Sequence, residues 1–301
     1  MENDACRRQN RIPGWYRFFI GDIEATIVSD GRMRPFSAED LFPTVPKQML
    51  YSILRRHYLP LSGMIMEQNC LALKRGNKFV LFDTGVGYER IAGGGGDETG
   101  RLLSSMSAAG IDRNDVCAVM LTHAHSDHCW GLVDEAGNLN FPNAEVFISK
   151  AEFDFWTDER RLSDDNYIGV FVAGARRNLL PYRDRLTFVV DGREAMPGVT
   201  PLASPGHSIG HTSYLISSAE ANYLFLGDVA HSTALHFENP AWEFAFDLDP
   251  RQAGETRRRV LEFAVCESLS LIGYHFLFPG VGNIRRDGQS FAYIQAPILH
   301  R

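Results

Sequence analysis

The sequence predicts an α/β chain of the α+β kind, built as two sheets sandwiched by helices. Three observations carry this. Short apolar runs of strand length fall into two groups, segments with helical spacing lie between and after them, and no repeat or linker divides the chain. Length alone fits one large domain or two small ones, and the unbroken pattern reads as a single domain over 1–301. A hydrophobic content of 45% against 22% charged residues is enough for a sizeable core.

The elements follow in order. Residues 1–12 are polar, without the apolar stretch of a signal peptide, and read as a loose N-terminus. Trp15 to Ser29 reads as two strands about Gly21-Asp22, a hairpin dipeptide with apolar flanks. From 32 to 62 the chain is irregular, punctuated by Pro35, Pro43, Pro46 and Pro60, with a short helix expected from Lys47 to His57. A loop this long inside a compact domain is functional or disordered. Met64–Leu73 and Lys78–Phe82 form a second hairpin about Arg75-Gly76-Asn77 and deliver Asp83. The glycine run 93–96 lacks the strand–helix setting and the Gly-Lys-Ser/Thr of a phosphate loop, so it reads as a flexible connection. A helix from Thr99 to Ala109 leads to an apolar strand, Val116–Leu121. Then come a strand at Val146–Ser149 and helices at Lys150–Thr157 and Asn166–Leu180, the latter stopping before Pro181. Strands are expected at Leu186–Val190, Val199–Ala203, Thr212–Ile216 and Tyr223–Leu226. A long helix from Pro250 to Ser270, with Leu261, Ala264, Val265 and Leu269 on one face, precedes a strand at Leu271–Tyr274.

One stretch is not explained by packing: Thr122-His123-Ala124-His125-Ser126-Asp127-His128, at the end of the strand beginning at Val116. His123 and His125 are two apart in an extended segment, so they project to one side and can hold one cation. Asp127 and His128 are adjacent and diverge, and a turn there can aim both at a second cation nearby. Ser126 is suited to N-cap a helix that begins just after them. His207 and Asp228 each follow an apolar strand and a small residue, where loops at a common sheet edge would gather.

The stretch fits the H-x-H-x-D-H signature of the metallo-β-lactamase superfamily, and the rest of the chain resembles that family in order. Asp83-Thr84-Gly85 before it, and Pro205-Gly206-His207 with Gly210-His211, Gly227-Asp228 and His275 after it, match the family's other motifs. Phe141-Pro142-Asn143-Ala144, Asp154-Phe155-Trp156, Pro197-Gly198-Val199 and Phe278-Pro279-Gly280 look most like the methyl parathion hydrolase branch, a neighbour of the quorum-quenching lactonases. The resemblance implies an αββα sandwich of two mixed sheets, the metallo-β-lactamase fold. It implies one metal on His123, His125 and His207, another on Asp127, His128 and His275, and Asp228 bridging them. Asp83, Thr122 and His211 would stand behind these ligands, Asp83 by accepting a ring N–H from a metal-bound histidine. An aspartate bridge supplies hard oxygen, which suits two zinc ions and also Mn, Fe or Co. Two such ions lower the pKa of a shared water to about 7, and the hydroxide attacks a carbonyl carbon or phosphorus. Asp127 and Asp228, the catalytic carboxylates, are metal-bound in this scheme and so are not free general bases.

The same resemblance makes 32–62 a lid over the site, with His57 and Tyr58 lining the pocket. It gives Trp156 and Phe171 the wall against the leaving group. Trp130, in Cys129-Trp130-Gly131 where the family often has glycines, would narrow the pocket, and Cys129 would pack. His231 and His236, just beyond Asp228, could reach the cavity, while His300 is idle. The expected activity is hydrolysis of a small apolar or aromatic ester: a lactone, an aryl ester or an organophosphate triester. The alternatives are a β-lactam or amide hydrolase, a hydrolytic dehalogenase of an activated aromatic ring, or a di-iron oxidoreductase.

Composition narrows the partners. A formal charge of −7 and a pI near 5.8 argue against a nucleic-acid or anionic-membrane surface, leaving a small-molecule substrate and leaving a homodimer open. No apolar run approaches the length of a membrane span. Five cysteines without paired spacing fit a reducing compartment, and the cytoplasm is the expected location.

Overall fold

Two tight hairpins start the first sheet. The first joins Trp15–Ile20 (β1) to Ile23–Arg32 (β2), with Ile20 opposite Ile23 and Gly21 at φ +55°; the second joins Glu67–Arg75 (β3) to Lys78–Phe82 (β4) about Gly76 at φ +60°. Both glycines take the left-handed backbone that a two-residue hairpin demands. The computed structural model describes residues 14–89, 94–164 and 167–298; the N-terminal segment 1–12, Gly93, Asn166 and His300 lie outside the described residues.

From β4 the chain changes habit. Val116–Met120 (β5), Glu145–Ser149 (β6) and Leu186–Val189 (β7) add in parallel, giving a seven-stranded sheet in sequence order. Parallel neighbours need crossovers, and these carry helices. After two helices within segment 32–62, Ala38–Leu41 (α1) and Lys47–Arg56 (α2), come Leu102–Ala108 (α3), Ser126–Cys129 (α4), Lys150–Thr157 (α5) and Tyr167–Leu179 (α6). Val199–Ala203 (β8), Thr212–Ser218 (β9), Ala221–Phe225 (β10), Ser270–Ile272 (β11), Val281–Asp287 (β12) and Ser290–Gln295 (β13) form the second sheet, antiparallel except for β10 with β11. Its helices are Leu235–Glu238 (α7) and Pro250–Cys266 (α8), α8 being the β10–β11 crossover.

The expected two mixed sheets flanked by helices are present. Phe82 of the first sheet meets Tyr214 and Phe225 of the second, with ring centroids 5.4 and 5.5 Å apart. Met106, Trp156, Val172 and Leu179 join this core from α3, α5 and α6, while Val260, Leu261 and Ala264 of α8 pack on Leu224 and Leu271 on the outer face of the second sheet. Asp83, His123, Asp228 and His275 follow the carboxyl ends of β4, β5, β10 and β11, and His207 follows β8. Loops at strand carboxyl ends are where open sheets assemble sites.

Several boundaries depart from the sequence reading, each for a local reason. α3 begins at Leu102 and not Thr99, because Gly100 has φ +72° and the N–H groups of Gly100 and Leu102 go to the Asp30 carboxylate. α8 stops at Cys266, since Ser268 takes φ +52°; Leu269 is still buried but lies beyond the helix. Ser126 is the first residue of α4, whose N-cap is His125. Segment 32–62 is less irregular than expected. Ala38, Leu41 and Phe42 pack with Leu50, Ile53 and Leu54, and the group docks on Leu235 and Phe244 as a separate apolar cluster. The β12–β13 hairpin was not expected at all. Among the described residues no helix is long and apolar enough to cross a membrane.

Candidate metal centre

At the mouth of the sandwich, imidazoles and carboxylates converge from both sheets. β5 gives way after Met120 to an extended stretch, so His123 and His125 face the same way with ring centroids 4.5 Å apart. The turn into α4 carries Asp127 and His128 to the side facing His275. His207 enters from the β8–β9 loop, its Nε2 3.0 Å from His125 Nδ1. Asp228 sits between: its Oδ2 is 3.2 Å from Nε2 of both His207 and His275, and its Oδ1 is 3.3 Å from His128 Nε2. His123, His125 and His207 could hold one cation and Asp127, His128 and His275 another, the ligand atoms of each group lying within 4.8 Å of one another. Asp228 belongs to two further groupings, with His123 and His128 and with His207 and His231.

The donor chemistry fits such ions. Nε2 of His123, His125 and His128 and Oδ1 of Asp228 are buried with no hydrogen-bond partner. Orphaned buried polar atoms cost roughly 1–3 kcal/mol each, and here they point at one another across a common space. Burial first, then the neighbouring imidazoles, hold His123 and His125 well below the usual histidine range, leaving neutral rings with lone pairs to offer. Burial pulls His128 the same way, but Asp228, Asp127 and Asp83 override it and raise that ring well above its ordinary value. Burial likewise opposes ionisation of Asp228, and the fields of His128, His275 and His231 nonetheless hold it well below the carboxylate range. These groups attract positive charge.

Behind them the outer ring nitrogens are tied down. His128 Nδ1 lies 2.8 Å from Asp83 Oδ2, and Asp83 also accepts the Thr122 N–H and hydroxyl at 2.8 Å each. His275 Nδ1 donates to the Glu67 carbonyl at 2.8 Å, and His123 Nδ1 is 3.0 Å from Thr122 Oγ1. Such partners set the tautomer so that Nε2 faces the centre. His211 is not among the converging atoms. Its Nε2 accepts the Asp228 N–H at 2.9 Å and its Nδ1 meets Ser204 Oγ at 2.8 Å, while burial takes its pKa down to about 3. Gly227, at φ +56°, permits this approach, since a Cβ there would stand 2.6 Å from His211 Nε2.

Three partners were missed in the sequence. Asp247 Oδ1 holds His207 Nδ1 at 3.0 Å and is itself backed by buried Arg257 at 3.3 Å. The Tyr274 hydroxyl donates to the Asp127 carbonyl at 2.5 Å. Glu152 bonds the backbone on both sides of the centre. None had a spacing signal; only the fold makes them neighbours.

Above the centre is a cavity of about 240 Å³. His125, Asp127, His207, Asp228, His231 and His275 form its floor; Met33, Phe36, Met66, Tyr167, Phe171, Phe244 and Phe246 form its wall, with Arg34 exposed at the rim. Phe171 and His231, both expected near the pocket, line this cavity, and His231 Nε2 is also 3.0 Å from Asp228 Oδ2. Three other expected wall residues are elsewhere. Trp156 is fully buried behind His125, its indole N–H given to Ser208 Oγ at 2.9 Å. Trp130 is buried against α6, where a side chain at Gly174 would overlap its ring. His57 is exposed and paired with Glu238 at 2.6 Å, and Tyr58 is 96% exposed. His236 is buried beneath the floor, its Nδ1 accepting the His231 N–H at 3.0 Å.

Known proteins agree with this architecture. The metallo-beta-lactamase superfamily model matches residues 65–267, well over half of the chain. AidC, a dizinc quorum-quenching lactonase solved in complex with a product, is similar with a TM-score of 0.88 and 27% identity, covering 95% of this chain and 99% of AidC. The hydrolase AbOPH of the beta lactamase superfamily is similar at the same TM-score of 0.88 and 27% identity, covering 97% of this chain and all of that one. Among curated sequences, an N-acyl homoserine lactonase of Bacillus thuringiensis is 26% identical over 166 residues, 55% of this chain and 58% of the relative. The chain thus spans little more than half the length of that relative.

Proposed function

Because the chain belongs to the metallo-β-lactamase superfamily, we propose that it is a dinuclear-metal hydrolase of small apolar esters, with lactones first among them. The observation that carries this is the set of unpartnered buried atoms, Nε2 of His123, His125 and His128 and Oδ1 of Asp228, gathered at the base of an apolar cavity. In this reading His123, His125 and His207 would hold one divalent ion, Asp127, His128 and His275 would hold the other, and Asp228 would serve both, zinc being the first choice. Bound there, the pair would bring the pKa of a shared water to about 7 and polarise the scissile oxygen.

The chain's own residues do the rest. Asp83, Asp247 and the Glu67 carbonyl keep the outer nitrogens of His128, His207 and His275 engaged, so that the inner ones face the centre. The His231 ring, brought by burial to about 4, is neutral at pH 7 and can donate its Nε2–H to Asp228 Oδ2, steadying that carboxylate. Phe171, Tyr167, Phe244 and Phe246 exclude water and orient the substrate's apolar part over the floor. Segment 32–62, part of the same single domain, acts as the lid by way of Met33 and Phe36.

A second reading, aryl esters and phosphotriesters, is favoured by the aromatic character of that wall. The test compares kcat/KM of the zinc-loaded protein on an aliphatic acyl lactone, an aromatic lactone and a nitrophenyl phosphotriester. Lactones should lead by orders of magnitude. A leading phosphotriester would promote the second reading, and values below about 10² M⁻¹s⁻¹ on all three would sink the ester assignment.

A further inference from the structure

α5 contributes nothing to the cavity wall, yet its first turn carries a carboxylate that the centre's chemistry does not use. Glu152 is fully buried. Its Oε1 accepts the Ala124 N–H at 3.0 Å and the Ser208 hydroxyl at 2.5 Å, and its Oε2 accepts the Gly210 N–H at 2.7 Å. Ala124 stands between His123 and His125; Ser208 follows His207, and Gly210 precedes His211. One side chain therefore bonds both ligand-bearing loops, one continuing β5 of the first sheet and the other joining β8 to β9 of the second.

The helix start is built around this grip. Ser149, the N-cap of α5, accepts the Glu152 N–H at 3.2 Å and donates its hydroxyl to the Gly210 carbonyl at 2.7 Å. A Cβ on Gly210 would lie 2.3 Å from Ser149 Oγ and 2.6 Å from Glu152 N, so the loop comes this close only as glycine. One turn on, Trp156 gives its indole N–H to Ser208 Oγ, which directs the Ser208 hydroxyl hydrogen onto Glu152. The other cation position is oriented directly by different groups: Asp83 on His128, the Glu67 carbonyl on His275 and Tyr274 on Asp127, Asp83 touching His123 only by way of the Thr122 hydroxyl. None of these bonds Glu152.

We propose that Glu152 is a positioning residue that sets His123 and His125 against His207, so that its loss loosens one cation position and spares the other. This rests on the ligand assignment proposed above. The test titrates metal-free wild-type, Glu152→Gln and Asp83→Asn proteins with zinc against a competing chelator, and repeats the titration with cobalt to read the ligand-field spectrum of each position as it fills. Wild type should take up two equivalents. Glu152→Gln should bind one equivalent as before and the other about 10–100-fold more weakly, and Asp83→Asn should weaken the opposite equivalent, with the complementary cobalt spectrum persisting. Unchanged binding in Glu152→Gln, or equal weakening of both equivalents, overturns the proposal, the latter by making Glu152 a general structural residue. If Glu152→Gln does not fold, as judged by circular dichroism of the metal-free protein, Ser208→Ala removes one leg of the grip and is read by the same criteria. A wild-type protein that binds fewer than two equivalents brings down the ligand assignment itself, and this inference with it.

Discussion

The floor and the wall of the cavity are made of opposite materials. The inner nitrogens of His123, His125, His128, His207 and His275 belong to rings whose other edge is engaged, by Asp83, Asp247, Thr122, the Glu67 carbonyl or a neighbouring imidazole. The wall makes no such bonds: Phe36 meets Phe246 edge to face at 5.7 Å, and Phe244 lies flat on His231 at 3.8 Å. Directional bonds hold atoms to a few tenths of an ångström, whereas apolar contacts hold a shape and tolerate exchange. A reaction centre needs the former, and selectivity can rest on the latter.

That contrast can be broken experimentally. Asp228→Ala removes the group shared between the two ligand sets and should abolish stoichiometric metal binding, lowering turnover by several kcal/mol of transition-state stabilisation, on the order of 10³-fold; an undiminished rate would refute the dinuclear reading. A buried carboxylate away from the floor should show itself in the pH dependence of stability. Burial raises the Asp30 carboxyl from 3.8 to about 6, although the N–H groups of Val86, Leu102 and Gly100 pull it down. Between those values the native chain keeps a proton that the unfolded chain has lost. Stability should therefore fall as pH rises from about 4 to about 6, by about 3 kcal/mol, and Asp30→Asn should flatten that slope in denaturant titrations.

Asp247→Asn tests the floor at one ring. Metal affinity should drop about 10–100-fold, seen by chelator competition, with KM for a lactone little altered once the protein is saturated. Phe171→Ala tests the wall and should do the reverse. Metal content should stay at the wild-type level while kcat/KM for an apolar ester falls by roughly tenfold or more, from the loss of about 1.5–3 kcal/mol of burial. If Phe171→Ala loses metal, the division between floor and wall fails. The smallest effect belongs to Glu238→Gln, which releases Arg56 and His57 at the end of α2. These partly exposed pairs are worth at most about 1 kcal/mol, and a shift in KM of more than tenfold would mean that segment 32–62 is held chiefly by this contact.

The same contrast decides how much was legible in the sequence. The floor was, because metal-ligating residue types are uncommon and four of them lie between His123 and His128, with His207, Asp228 and His275 each placed just after a strand. The wall was not. Its residues are scattered over 33–36, 66, 167–171 and 244–246, and phenylalanine or methionine looks the same whether it fills a core or faces a cavity. Trp156 and Trp130 were misplaced for that reason, and what sent them inward was a hydroxyl on Ser208 and a glycine at 174. The β12–β13 hairpin carried a readable Asp287-Gly288 turn, yet its arginine-rich first strand lacks alternation clear enough to declare itself. Asp247 and Glu152 could not be found at all, since long-range neighbours leave no mark on local spacing.

Segment 32–62 packs in an apolar cluster of its own, with residues 234–246, apart from the core between the sheets. Substitutions there disturb few contacts that the sandwich relies on, and they reach the floor chiefly through Phe244, which lies on His231, and not through the bonds that hold the other rings. Descent can therefore try new linings at low risk to folding or to the reaction, one patch at a time. Under changing selection, such a chain is expected to shift its substrates far sooner than its chemistry.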